Sequence, residues 1–187
     1  MIPIIVFIIS FLLLSASGQN QDDIIYYTDS GYAEFHSSVP LDTFTGKSDY
    51  LTGMIDLSEN EIDFYLDLET LKTGNNRRDR DMYRTLKVDN YPFAEFTGKL
   101  DSDFDESTNE TQSVKATGEF KVHGVSREVT IEGSLQKISD SLLLKAEWIL
   151  DLRDHDIEPP GILIYRVADE IEIEIEATLE AKNRDEL

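Results

Sequence analysis

Residues 171–181 read IEIEIEATLEA. Every odd position is apolar and nearly every even one is acidic. Successive side chains of a β-strand point to opposite faces, so a strict two-residue repeat marks a strand with one face in a core and the other in water. A helix, which repeats every 3.6 residues, cannot produce it. The same alternation returns along the chain. Ile62, Phe64, Leu66 and Leu68 alternate with Asp63, Tyr65 and Asp67. Further sets are Ala94, Phe96, Gly98 and Leu100; Val114, Ala116, Gly118, Phe120 and Val122; Val129, Ile131, Gly133 and Leu135; and Leu142, Leu144, Ala146, Trp148 and Leu150. Two more strands are expected at about 32–44 and 51–57. Short turns such as Ser58-Glu59-Asn60 and His123-Gly124-Val125-Ser126 join them, which argues for an antiparallel meander.

Eight strands in one open sheet would leave two unpaired edges, and closure into a barrel removes them. The fold class is therefore all-β, an eight-stranded antiparallel barrel. Its outer face would carry Glu128, Glu132, Glu172, Glu174, Glu176, Asp63 and Asp67. A membrane-spanning barrel would show an apolar band there. The inward set mixes large residues with Gly53, Ala94, Gly98, Ala116, Gly118, Gly133, Ala146 and Ala177. Two readings stay open: small residues leave a dry pocket, or the glycines allow sharp bending of a packed barrel.

One stretch, Arg77 to Leu86, has no alternation, and Asn75 or Asn76 can cap a helix there. One short helix is thus expected between the third and fourth strands. Tyr91-Pro92 forces extended geometry before the next strand. Arg153 to Val167, with Glu158-Pro159-Pro160-Gly161, reads as a long loop, and Asp101 to Gln112 as a polar, mobile one.

The 187 residues fit one domain plus a processed segment. Residues 1–18 hold an apolar run, Ile2 to Leu14, followed by Ser15-Ala16-Ser17-Gly18. This pattern is read as a signal peptide, too short for a span of about 20 residues. Residues 19–187 would form the mature barrel domain, periplasmic or secreted, with no stable membrane span after processing. The sequon at Asn109 and the terminal Arg184-Asp185-Glu186-Leu187 are read as chance matches. With 38 acidic against 17 basic side chains, the net charge of −21 repels nucleic acid and excludes that partner class. No cysteine is present, which removes disulfides, thiol nucleophiles and Cys-based metal sites.

The run Leu71-Lys72-Thr73-Gly74-Asn75-Asn76-Arg77-Arg78-Asp79-Arg80-Asp81-Met82 resembles the signature of YceI-like proteins. Tyr91 to Phe96, Ala116 to Arg127 and Leu150 to Ile157 resemble its later landmarks, in order and spacing. The resemblance covers about residues 30 to 181. It implies a lipocalin-like barrel, exported, that binds polyisoprenoid or other long-chain lipids. Some relatives form dimers, so a homodimer is compatible with it, although no face is assigned. Where the signature often has His, this chain has Asp81.

The site expected from these readings is the barrel interior. A lipid tail would run along Ile62, Phe64, Leu66, Phe96, Phe120, Ile131, Trp148, Ile173 and Ile175, with Arg78 and Tyr83 at the mouth. Asn75, Arg78 and Asp79 are read mainly as a structural clip, with Asn75 as cap and an Arg78–Asp79 ion pair tying the helix to the barrel. No catalytic motif, cofactor or metal set is recognised; Asp151, Asp154, His155 and Asp156 are read as a solvated strand end. The expected function is a non-enzymatic lipid carrier. The alternative is a filled barrel acting as a structural or interaction module.

Overall fold

The structure, a computed structural model, describes residues 24–39, 42–158 and 168–186. The expected leader at 1–18 and the Pro159-Pro160-Gly161 turn lie outside them. Eight strands form a closed antiparallel barrel in sequence order: β1 (Ile24–Val39), β2 (Asp42–Asp56), β3 (Glu61–Asp67), β4 (Phe93–Leu100), β5 (Gln112–Val122), β6 (Val125–Ile138), β7 (Ser141–Asp151) and β8 (Glu170–Asn183). The helix α1 (Asn76–Leu86) sits between β3 and β4. Closure is made by β1 on β8, from Ile24↔Asn183 to His36↔Glu172.

Six of the strands fall where the alternation places them, and the first two differ. β1 begins at Ile24, and the expected segment 32–44 straddles the end of β1 and the start of β2. The reason is a change of phase. Between Tyr27 and Tyr32 the register to β8 advances from Glu180 to Glu176, so β1 holds one extra residue. Inward positions are therefore even before this bulge, at Tyr26 and Thr28, and odd after it, at Ala33 and Phe35. A compensating irregularity in β2 separates Leu51 from Ser48. A period-two reading loses the strand where the period breaks.

Up-and-down topology puts alternate connections at opposite ends. The floor holds the β2–β3 turn, the β4–β5 loop, the β6–β7 turn and the ends of β1 and β8. The mouth holds α1, the His123-Gly124 turn and the segment after β7. That turn links Val122 and Val125, with φ of 56° and 78°, the positive values that a two-residue hairpin requires.

The floor is densely packed. Ile55, Leu135, Leu142 and Leu179 are fully buried there. Asp56 is also fully buried; its Oδ1 accepts from the N–H (2.8 Å) and Oγ (2.7 Å) of Ser58 and the N–H of Glu59 (3.1 Å), and its Oδ2 meets Arg184. Burial alone would raise this carboxyl, but the Ser58 and Glu59 donors and Arg184 outweigh it and hold it below the usual range. The β4–β5 loop, read as mobile from its composition, is stitched down. Tyr26 donates to Glu106 (2.6 Å), Gln136 Nε2 to the Asn109 carbonyl (3.0 Å), and Phe104 packs on the core.

Candidate functional site

Above the floor the barrel is hollow. The cavity measures about 830 Å³, toward the upper end of the roughly 300–1,000 Å³ found for small-ligand pockets. Its wall contains all nine residues assigned to the tail path: Ile62, Phe64, Leu66, Phe96, Phe120, Ile131, Trp148, Ile173 and Ile175. Ala33, Ala94, Ala116 and Ala146 also line it, whereas among the described residues no glycine does. The alanines leave the space.

The glycines do something else. A Cβ on Gly118 would sit 2.3 Å from the Thr97 carbonyl oxygen and 2.5 Å from Gly98 Cα. Gly98 and Gly118 face each other across β4 and β5 and permit the close backbone approach of a tightly coiled barrel. The small residues thus divide: alanines border the hollow, and Gly98 and Gly118 meet backbone.

The helix covers the mouth. Asn75 is its N-cap, and its Oδ1 accepts from the N–H groups of Arg77 (3.0 Å) and Arg78 (3.3 Å). The chain leaves the helix at Lys87, in the left-handed region with φ of 50°. Asp79 is buried, and its Oδ1 accepts from the N–H (2.8 Å) and Oγ1 (2.6 Å) of Thr73. The helix is thus tied to the preceding turn through Thr73. Arg78 takes a different partner from the expected ion pair: its guanidinium lies over the Phe44 ring, 4.4 Å from the centroid. Met82, Thr85 and Leu86 contribute to the cavity from α1, which periodicity in the strands could not show.

Tyr83 is not on the cavity wall. Its hydroxyl lies 2.7 Å from the Leu71 carbonyl and accepts from Lys72 Nζ (2.6 Å), so it braces the segment between β3 and α1. The cavity boundary includes charged residues Arg77, Arg78, Asp81 and Arg84 from the helix, with Glu34 and Glu95 from the strands. Glu34 is tied to Lys47 (2.9 Å) and His36 (2.7 Å), and Glu95 to Lys121 (2.7 Å).

The other side of the mouth is closed by Leu152 and Ile157, which also line the cavity. The reading of Asp151 to Asp156 as a solvated strand end needs correcting at His155, which is 1% exposed. Its Nδ1 lies 3.0 Å from the Val125 carbonyl, and its ring packs edge-on against Phe120. His123 in turn contacts the His155 carbonyl (3.0 Å). The two histidines pin the β7–β8 connection onto the β5–β6 turn.

On the outer wall, the carboxylates of Glu147, Glu172 and Glu174 come within 4.8 Å of one another. They are like-charge cross-strand neighbours on β7 and β8, and they lie outside the cavity. Among the described residues no helix is long and apolar enough to cross a membrane.

Known proteins share this architecture. The model of the YceI-like domain family matches residues 28–179. A polyisoprenoid-binding domain from Saccharophagus degradans, implicated in plant cell wall breakdown, superposes with a TM-score of 0.72 at 18% identity, covering 84% of this chain and 98% of that one. BcnA of Burkholderia cenocepacia gives 0.64 at 14% identity, covering 79% and 95%. The Campylobacter jejuni YceI protein gives 0.56 at 17% identity, covering 71% and 80%. No curated protein sequence matches the chain.

Proposed function

As a member of the YceI-like domain family, the chain is, we propose, an exported, non-enzymatic carrier of a long-chain apolar lipid, a polyisoprenoid or similar, held inside the barrel. The observation that carries this reading is the hollow of about 830 Å³ walled by aliphatic and aromatic side chains and covered by α1. Removing hydrocarbon from water contributes about 2.5 kcal/mol per 100 Å², so a tail filling such a space supplies ample driving force before the cost of immobilising it. An empty apolar hollow forfeits dispersion contacts along its wall, which a tail restores. The Saccharophagus degradans domain, described as polyisoprenoid-binding, supports the ligand class by analogy of fold. Site of action, on this reading, is the periplasm or beyond.

Native mass spectrometry of the full chain expressed with its own leader tests the proposal. The expected result is an adduct of several hundred daltons, lost on organic extraction and identifiable as a prenyl or acyl lipid. A bare mass that takes up neither added isoprenoids nor fatty acids sinks it.

A further inference from the structure

A carrier must also accommodate the end of its lipid that stays out of the apolar hollow. Resting on the carrier reading, we infer that the ligand is an amphiphile with an anionic head, phosphate or carboxylate, and that Arg77 and Arg84 of α1 hold that head at the mouth.

The charge of the mouth is divided. Residues 72–87 carry six of the chain's 17 basic side chains and only two of its 38 acidic ones. Across the opening, the end of β7 and the segment after it carry Asp151, Asp154, Asp156 and Glu158 against Arg153. A charged head is thereby sorted toward one lip. The net charge of −21 repels an anion at a distance, but screening reduces that repulsion beyond about 8 Å at physiological salt. At contact, the local lip decides.

Arg77 and Arg84 stand seven residues apart, about two helical turns, so they lie on one side of α1. Both border the cavity, and their side chains are 81% and 78% exposed. They share one carboxylate, Asp81, at 4.0 and 3.2 Å. Two guanidinium groups around one carboxylate keep a surplus positive charge and spare N–H donors. Arg78 is engaged on Phe44 instead, and the boundary carboxylates Glu34 and Glu95 are neutralised by Lys47 and Lys121. Met82 and Leu86, on the same helix, offer an apolar surface to the first carbons of a tail. Cation outside and hydrocarbon inside, on one helix, is the pattern of an amphiphile.

Trp148 is the chain's single tryptophan and lines the cavity, so its fluorescence reports occupancy. The test is titration of the full chain with geranylgeranyl monophosphate, with geranylgeraniol, and with inorganic phosphate. We expect the phosphate ester to bind about tenfold more tightly than the alcohol, as fits two solvent-exposed ion pairs. The ratio should fall to near one in Arg77→Gln/Arg84→Gln and shrink at high salt. Asp81→Asn, which frees both guanidinium groups, should raise it severalfold. Equal binding of ester and alcohol to the unmodified chain overturns the inference and leaves the carrier reading intact. A ratio that survives in the double variant overturns the assignment to these arginines. Inorganic phosphate binding as tightly as the ester overturns the amphiphile. If neither prenyl compound binds, the carrier reading falls and the inference with it.

Discussion

The two halves of the barrel are made from the same eight strands and differ in what their inward side chains do. At the floor, Ile55, Leu135, Leu142 and Leu179 interlock, and a fully buried aspartate is satisfied by a turn and an arginine. At the mouth, the same strands turn alanines and widely spaced large residues toward a hollow. The chain therefore places its stability and its capacity at opposite ends. A strand can serve both because side chains two residues apart share a face but not a level.

The sharpest way to break this comparison is to delete equal volume at each end. Leu142→Ala at the floor should cost about 4 kcal/mol, as a cavity opened in close packing does. Ile173→Ala, which only widens an existing hollow, should cost about 1 kcal/mol while weakening uptake of prenyl lipid. Denaturant unfolding reads the first and Trp148 fluorescence the second; equal losses of stability would mean that the mouth half is packed like the floor.

Gly118→Ala follows, at about 3 kcal/mol, because the added methyl meets backbone atoms of β4 that cannot yield cheaply. Gly74→Ala is its control: nothing lies within 4 Å of the added Cβ, and only the φ of 73° is strained, for about 1 kcal/mol. Thermal unfolding of the pair separates close approach from backbone conformation.

Asp56 gives a signature in pH. Its native carboxyl is held below the usual range. A depressed carboxyl contributes fully above the unfolded value of about 3.9 and loses its contribution as pH falls toward the native value. Asp56→Asn should therefore cost about 2 kcal/mol near neutral pH. The gap from the unmodified chain should narrow as pH drops below about 4. A gap that is constant with pH would show that the charge of Asp56 is not what secures the floor. The smallest effects belong to the lid. Asp79→Ala should lower stability by about 1.5 kcal/mol through loss of its Thr73 contacts. Arg78→Ala should cost under about 1 kcal/mol, the range of an exposed cation–π contact. Hydrogen exchange should localise both changes to α1 and the turn before it.

Much of this architecture was legible. Alternation placed six strands because a half-buried strand without a bulge repeats every two residues, and the Asn75 cap with an aperiodic stretch placed α1. β1 was half hidden because its bulge reverses which parity faces inward between Thr28 and Gly31. The cavity wall was legible as one face of the sheet, since Ile62, Phe64, Leu66, Phe96, Phe120, Ile131, Trp148, Ile173 and Ile175 all line it. Depth along that face was not: Ala116 borders a hollow while Gly118, two positions on, meets backbone. Alternation reports sides of a sheet and says nothing of the distance across a barrel. The partners of Asp79, Arg78 and Tyr83 were hidden for a similar reason: Thr73 and Leu71 reach them through the turn before α1, and Phe44 from β2.

The closing seam between β1 and β8 has one more consequence. Ile24 stands opposite Asn183 at the floor, so both ends of the barrel's path depart from the side away from the opening. A cup held by its base keeps its rim clear. An attachment made at the first residue of β1 or the last of β8 therefore starts at the floor, on the side away from the opening. By the same geometry, a short bridge between the two ends would leave the barrel's strand order around the ring unchanged, and new ends could be cut at the β6–β7 turn without touching the rim.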